Sequence, residues 1–302
     1  MKAVEIQVIN ESKKGKNREN LPDELRIKIY ERVIELHQQG LSYNKIVKII
    51  EQEFGVRLPK STIGRWVQGR NKPYNRIYIP SLKLLEPSEE LAYVIGVMIG
   101  DGYIYKYIYA FRDGRIVERY RIGLKAKDKE FVGEFARCLA IVLNRPSIKL
   151  RYNQLLGKYI VRVGSKALYE LLSKPIDLNK LKKFIEHCPR CITAFLRGFF
   201  DSEGSVDKNG YISAINSDYE LLMYVQELLE RFGIKSTGPR LQTRRGSITI
   251  DPRTKKRYLR RKDVYKIRIL ARCNDNFYYY IGFTIKRKLE RLENFLKRTG
   301  EL

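Results

Sequence analysis

The chain has 302 residues, of which 43% are hydrophobic, so it can form two or three compact units with apolar cores. Its 60 Lys and Arg residues against 34 Asp and Glu give a formal net charge of +26, which indicates a polyanionic partner. No apolar run is long enough to cross a membrane and no leader-like segment opens the chain. We therefore expect a cytoplasmic protein with no membrane partner.

The N-terminal third is predicted to be helical after a flexible basic start at residues 1–20. Apolar spacing and capping residues at 21–70 predict three short helices: Pro22 to Gln39, one capped by Ser42, and Thr62 to Gln68 capped by Ser61. Three such helices resemble a helix-turn-helix, whose last helix enters the major groove of DNA. We expect base or phosphate contacts from Lys60, Thr62, Arg65 and Gln68. The alternative is a small helical bundle with a solvated basic face.

Residues 71–88 contain three prolines and several basic residues without a sustained period, which predicts a linker along the DNA backbone. An internal repeat follows this linker. Ala92, Gly96, Gly100, Asp101 and Gly102 recur, shifted by 102 positions, as Ala194, Gly198, Ser202, Glu203 and Gly204. Each copy is an apolar helix with small residues at every fourth position, which lets two backbones approach closely.

Packing of these two helices on their small faces would place Asp101 and Glu203 side by side at their C-terminal ends. Two carboxylates repel each other there, and the negative end of each helix dipole adds to the conflict. Bound divalent cations would resolve it. The alternative is a pair of buried helices whose terminal acids face water, and the repeated acid-Gly ending argues against it.

The repeat continues beyond the helices. Lys127–Phe131 resembles Ser217–Leu221, and Tyr159–Val163 resembles Tyr265–Ile269. Tyr103 to Phe111 alternates like a strand before a predicted Asp113–Gly114 turn, so each half, 89–190 and 191–302, is predicted as helix, hairpin, helix, hairpin, helix. The basic residues expected to meet DNA on these strands and hairpins are Arg112, Arg115, Arg119, Arg121, Arg244, Arg245, Lys255, Lys256, Arg257, Arg260, Arg261 and Arg268. An ordinary hydrated basic surface is the alternative for any single one.

The chain has four cysteines: Cys138, Cys188, Cys191 and Cys273. They are too scattered to cross-link a chain of this size with disulfide bonds, and we expect them to be thiols. Cys188 and Cys191, preceded by His187, have the spacing of a zinc half-site. A tetrahedral site needs four ligands, so the spacing favours ordinary packing around a turn, with zinc as the alternative.

The segments Leu91–Gly102 and Phe195–Gly204 resemble the paired motifs of single-chain, archaeal-type LAGLIDADG homing endonucleases, and the resemblance covers Leu91 to Leu302. It implies an α+β fold in which a pseudo-symmetric pair of αββαββα subdomains forms a DNA-binding β-saddle, here preceded by the all-α helix-turn-helix domain. By the same resemblance the protein is a monomeric, metal-dependent endonuclease that cleaves a long asymmetric site in double-stranded DNA, with a staggered break.

The resemblance also implies roles for individual residues. Asp101 and Glu203 would be the catalytic acids and, with Gly100 and Ser202 before them, would form the metal site for Mg²⁺, with Mn²⁺ or Ca²⁺ able to substitute for binding. Lys127 and Lys286 match the auxiliary lysines near the attacking water, although plain phosphate contact is a nearly equal alternative. Ala126 stands where the family often has a polar residue, so the water network is left incomplete.

Three alternatives bear on function. Some members of the family are inteins, but the chain starts at Met1 and ends at Leu302 without a nucleophilic first residue or a terminal His-Asn pair, so we expect a freestanding or intron-encoded homing enzyme. An RNA maturase on the same fold would bind intron RNA without cutting DNA, and retention of Asp101 and Glu203 argues against loss of cleavage. A transcription regulator would leave the paired acids unexplained.

Overall fold

The computed structural model describes residues 23–70, 85–110, 116–250 and 255–300. The chain divides between Pro80 and Ser81 into two compact units. The predicted flexible start, residues 71–84 of the predicted linker and the predicted Asp113–Gly114 turn lie outside the described residues. No described helix combines the length and the apolar character needed to cross a bilayer.

The described residues of the first unit form three helices, α1 (Asp23–Gln38), α2 (Tyr43–Phe54) and α3 (Lys60–Val67). Their apolar faces form one core: Ile29, Val33, Leu36, Ile46, Ile50, Val56, Leu58, Ile63 and Trp66. The predicted cap of α3 at Ser61 is wrong. Pro59 precedes the helix and its carbonyl oxygen accepts from the backbone N–H groups of Thr62 at 2.9 Å and Ile63 at 3.3 Å, so the first turn begins at Lys60.

The second unit contains two halves with a similar order of elements, and the second half has two additional strands. The first half is α4 (Glu89–Ile99), β1 (Tyr103–Ala110), β2 (Ile116–Ala126), α5 (Lys129–Val142), β3 (Arg151–Asn153), β4 (Lys158–Val163), α6 (Lys166–Leu172) and α7 (Leu178–Ile185). The second is α8 (Pro189–Glu203), β5 (Gly204–Val206), β6 (Ile212–Asn216), α9 (Tyr219–Glu230), β7 (Ser236–Thr243), β8 (Ile248–Ile250), β9 (Arg257–Leu259), β10 (Val264–Ile269), α10 (Asn274–Tyr280) and α11 (Lys286–Thr299). This arrangement confirms an α+β fold preceded by a small helical unit.

Each half contains one four-stranded antiparallel sheet. The strand orders, β1-β2-β4-β3 and β5-β6-β10-β7, are equivalent when β10 is matched with β4 and β7 with β3. Helix α5 packs on the first sheet and α9 on the second. The second half also has a separate two-stranded ribbon, β8–β9, between β7 and β10. Residues 85–88 of the predicted linker belong to the second unit, because Leu85 is buried in its core and Ser88 caps α4.

The two halves meet along α4 and α8, at the centre of the core of the second unit. Every residue from Leu91 to Ile99 is buried. A β-carbon added at Gly96 would overlap the carbonyl oxygen of Phe195, and one added at Gly198 would overlap that of Tyr93. The backbones are therefore in direct contact, and only glycine fits at both crossing points.

We predict that Gly96→Ala will lower the free energy of unfolding by about 1–3 kcal/mol, because the new methyl group meets backbone that cannot move aside cheaply. Gly133, inside α5, is a matched control, since an added β-carbon there meets nothing within 4 Å. Gly133→Ala should raise stability by roughly 0.5–1 kcal/mol through its helix propensity. Urea unfolding of the three proteins checks this, and equal shifts in the two variants would contradict the close approach.

Candidate metal centre and nucleic-acid interface

Asp101 and Glu203 lie together at the C-terminal ends of α4 and α8. Gly100 ends α4 with non-helical backbone angles, so Asp101 leaves the helix axis, whereas Glu203 is the last residue of α8. A β-carbon added at Gly100 would overlap the side chain of Ser202 and lie 3.1 Å from Cγ of Glu203. The small residue before Asp101 thus lets the two acidic turns touch.

The environment of the two carboxylates is unfavourable for their charge. Desolvation by the surrounding protein raises the pKa of both groups. The negative charge of Asp101 adds to this at Glu203, whose pKa rises to about 7. Among the described residues neither carboxylate has a hydrogen bond or an ion pair. The helix ends also place partial negative charge here.

The donor set suits a hard divalent cation. Carboxylate and carbonyl oxygens are the ligands that Mg²⁺, Mn²⁺ and Ca²⁺ take in proteins. The described residues contain no group of three or more His, Cys, Asp or Glu side chains placed to hold a metal. The protein ligands would therefore be the two carboxylates with the backbone of Gly100 and Ser202, and a bound phosphate or water would supply the rest.

Asp201, which the sequence reasoning missed, fixes the end of α8. It is 1% exposed, and its carboxylate accepts from the Tyr93 hydroxyl at 2.9 Å and from the backbone N–H of Thr284 at 2.9 Å. These bonds connect α8 with α4 and with the segment before α11. The position of Glu203, two residues later, therefore depends on a buried polar network. The sequence signal that could have identified Asp201 is the presence of a carboxylate inside the apolar run of α8.

The second missed residue is Lys288 on α11. It is 5% exposed, and its ammonium group donates to the carbonyl oxygens of Phe200 at 3.0 Å and Asp201 at 2.6 Å, so it caps the end of α8. Desolvation lowers the pKa of Lys288 to about 8, which leaves the group protonated at neutral pH. Lys288 and Asp101 line the same cavity of about 180 Å³, together with Asp128, Ser202, Arg287 and Arg291.

The two predicted auxiliary lysines, Lys127 and Lys286, are not among the residues that line this cavity. Lys286 is exposed and is absent from the lining of this cavity, which receives Lys288 instead, about half a turn further along α11. The backbone N–H of Lys286 donates to the Glu130 carboxylate at 3.1 Å. Lys127 is exposed between Ala126 and Asp128, which both line the cavity, so it lies at the rim.

The first sheet presents an aromatic and basic surface on one of its faces. The buried Ile122 and Leu124 lie on the opposite face, because side chains alternate along a strand. The rings of Tyr103, Tyr105 and Tyr107 follow one another along β1 at centroid distances of 6.2 and 5.9 Å. Three cations surround them: Lys125 over Tyr103, Arg162 on the Tyr105 hydroxyl, and Arg121 on the Tyr107 hydroxyl. Arg119 is exposed on the same strand as Arg121. The sequence reasoning selected Arg119 and Arg121 but missed Arg162.

The second sheet carries Arg268 at the position that matches Arg162 in the repeat. Its guanidinium lies 3.5 Å from the ring centroid of Tyr211, and the side chain is exposed. The predicted basic residues Arg244, Arg245, Lys255, Lys256, Arg257, Arg260 and Arg261 are all exposed in and around the β8–β9 ribbon. The predicted Arg112 and Arg115 lie outside the described residues. The sequence signal that could have identified Arg162 is the repeat: when Tyr159–Val163 is compared with Tyr265–Ile269, Arg162 corresponds to Arg268.

In the helical unit, three of the four predicted contact residues are exposed: Lys60, Arg65 and Gln68. Thr62 is 4% exposed and packs with Ile63 and Trp66 on the inner side of α3, so its selection as a DNA contact is wrong. Positions 60, 65 and 68 lie on the outer face of the helix, whereas 62, 63 and 66 lie on the core face. Ser61, next to Lys60, is exposed and takes the place of Thr62 on the outer face.

We predict that Lys288→Met will lower the free energy of unfolding by about 1–3 kcal/mol, because it leaves two buried carbonyl oxygens at the end of α8 without donors. Lys286→Met is the matched control on the exposed side and should change stability by less than about 0.5 kcal/mol. Thermal and urea unfolding of both variants check this. Equal stability of the two would show that Lys288 does not hold α8.

Comparison with known proteins finds one family profile and several similar proteins. A family profile described as a LAGLIDADG-like domain matches residues 190–274. The uncharacterized protein MJ0398 of Methanocaldococcus jannaschii is 35% identical over 268 residues, which cover 87% of this chain and 90% of that protein. The homing endonuclease I-DmoI of Desulfurococcus mucosus is 27% identical over 150 residues, covering 48% of this chain and 72% of that protein. The crystal structure of I-DmoI in complex with DNA and Ca is similar with a TM-score of 0.46 and 23% identity, over 68% of this chain and 97% of that one. By the profile match and the similarity to these protein sequences, the chain belongs to the LAGLIDADG family.

Proposed function

We propose that the protein is a site-specific endonuclease that hydrolyses phosphodiester bonds in double-stranded DNA with divalent cations held by Asp101 and Glu203. The observation that carries this proposal is the meeting of two desolvated carboxylates, each without a protein partner among the described residues, at the ends of α4 and α8. Membership of a family that includes a homing endonuclease supports the same activity.

When bound, the cation would lower the pKa of an attacking water and neutralise the leaving 3′ oxygen. The chain's own residues would place that chemistry. Asp101 and Glu203 would hold the cation at the junction of the two halves, and each would serve mainly one DNA strand. Asp201, through Tyr93 and Thr284, would hold the end of α8, and with it Glu203, in position.

Lys288 would be a positioning residue on the Asp101 side. Its ammonium group is held on the carbonyl oxygens of Phe200 and Asp201, and its positive charge acts on Asp101 across the shared cavity. A phosphate that entered this cavity would meet Lys288, Arg287 and Arg291 as well as the carboxylate. Lys127 would contact the phosphate from the exposed rim.

The sheets and the first unit would supply DNA binding. The cations around the tyrosines of β1, with Arg268 on the second sheet, face away from the helices that cover the sheets, and α3 exposes Lys60, Arg65 and Gln68. We propose that both units of one monomer contact the same duplex, and that Mg²⁺ is the working ion while Mn²⁺ and Ca²⁺ can occupy its place.

The activity is tested with a pooled library of duplex DNA incubated with Mg²⁺ or with EDTA, followed by sequencing of the new ends. We expect metal-dependent double-strand cuts at one long site. Glu203→Gln and Asp101→Asn should abolish cutting or reduce it to nicking while binding to that site persists. Glu220→Gln, an exposed acid on α9, is the matched control and should cut normally.

Loss of binding in the folded Asp101→Asn and Glu203→Gln variants would mean that the acids are misassigned. No cutting by the unaltered protein, together with tight binding to structured intron RNA, would favour a maturase on the same fold.

For the helical unit, we expect Arg65→Ala to weaken binding to the full site about tenfold, the effect of one lost base or phosphate contact of about 1–3 kcal/mol. Lys28→Ala, on the exposed face of α1, should leave affinity within twofold. Fluorescence anisotropy over a range of salt concentrations measures both, and the salt dependence should be steep. Identical affinities for the two variants would mean that α3 does not touch DNA.

A further inference from the structure

The start of α8 contains two thiols in contact. Sγ of Cys188 lies 3.2 Å from Sγ of Cys191. Cys188 is the N-cap residue of the helix, with extended backbone, and its sulfur accepts from the backbone N–H of Cys191 at 3.3 Å. Cys188 is partly exposed, whereas Cys191 is 1% exposed. One sulfur can thus be reached from solvent, and the other lies directly behind it.

We propose that Cys188 and Cys191 form a reversible redox site that closes to an intramolecular disulfide by exchange with a small-molecule disulfide. The thiolate of Cys188 attacks one sulfur of the small disulfide, which leaves a mixed disulfide on Cys188 and one released thiol. Cys191 then loses its proton and attacks Sγ of Cys188, releasing the second thiol. Two protein thiols are oxidised and one small disulfide is reduced.

The surroundings distinguish the two sulfurs. The side-chain hydrogen bond between the two sulfurs lowers the pKa of Cys188, and backbone N–H groups at the helix start add to this. Desolvation raises the pKa of Cys191 to about 12. The exposed sulfur is therefore the better nucleophile at neutral pH, and the buried one attacks only after a mixed disulfide has formed beside it.

Closing the bridge requires little movement. A disulfide bond is about 2.05 Å long, so the sulfurs must approach by roughly 1 Å, and two cysteines three residues apart at a helix start can meet that geometry. Zinc is the competing occupant of two such thiols. It needs further ligands, and the described residues contain no group of three or more His, Cys, Asp or Glu side chains placed to hold a metal.

The bridge would act on the helix that carries Glu203. Arg190, between the two cysteines, forms an ion pair with Glu89 at 3.2 Å, and this contact joins the first turn of α8 to the first turn of α4. Oxidation would tie the cap to the first turn covalently. The oxidised protein should therefore resist thermal unfolding better than the reduced protein.

The other two cysteines are internal controls. Cys138 and Cys273 are free thiols, buried on α5 and in the short turn before α10, and their sulfurs donate to Glu134 and to the carbonyl oxygen of Gly233. The full-length protein is equilibrated in buffers of graded reduced and oxidised glutathione, quenched, unfolded and alkylated with N-ethylmaleimide. We expect four adducts under reducing conditions and two under oxidising conditions, on Cys138 and Cys273. Before it is unfolded and alkylated, the oxidised protein should show a higher melting temperature than the reduced protein.

Two variants test the order of attack. Cys191→Ala should stop at a stable glutathione adduct on Cys188. Cys188→Ser keeps a hydroxyl cap for the helix and should take up no glutathione while folded. Four adducts at every glutathione ratio, a bridge that includes Cys138 or Cys273, or a persistent glutathione adduct in the unaltered protein would each overturn the proposal. So would a zinc stoichiometry of one that is lost in Cys188→Ser.

Discussion

The structure of the second unit depends on the close approach of α4 and α8. Glycines at 96 and 198 bring the two backbones into direct contact, and Gly100 lets the acidic turns touch. Larger residues would separate the helices, and the two sheets, which pack on either side of them through α5 and α9, would move apart as well. The distance between Asp101 and Glu203 is therefore set by residues that carry no functional group.

This contact creates an electrostatic cost that the fold only partly offsets. Two helix ends and two carboxylates meet in one desolvated place. Lys288, whose charge stabilises both carboxylates, donates its hydrogen bonds to backbone carbonyl oxygens instead. The end of α8 thus has hydrogen-bond donors, whereas neither carboxylate has a partner in the part of the chain that the structure describes. A site arranged this way is less stable than a neutral one and is suited to a cation brought with a phosphate.

The contact of α4 with α8 and the meeting of Asp101 and Glu203 could be predicted from the sequence. The repeat consists of small residues and terminal acids, which allow few alternatives at a helix crossing. Lys288 and Asp201 could not be predicted, since the choice between Lys286 and Lys288 depends on the rotation of α11, and the role of Asp201 depends on Tyr93 and Thr284, 108 and 83 residues away. Thr62 was misplaced for a similar reason. A threonine near a predicted cap could face either way, and only the true start at Lys60 turns it inward.

The scaffold is pseudo-symmetric, but the surfaces that it presents are not. The first sheet carries a tyrosine ladder with cations at its edges, whereas the second carries Arg268 stacked on Tyr211 and an added β8–β9 ribbon. Matched backbones with unmatched side chains suit a ligand whose two ends lie at equivalent positions but differ in chemistry. If the ligand is a duplex, as we propose, its two half-sites would share a phosphate spacing and differ in base sequence, because phosphate contacts set position and side-chain contacts set specificity. The symmetry of the core and the asymmetry of the sheets would then be separate requirements of one target.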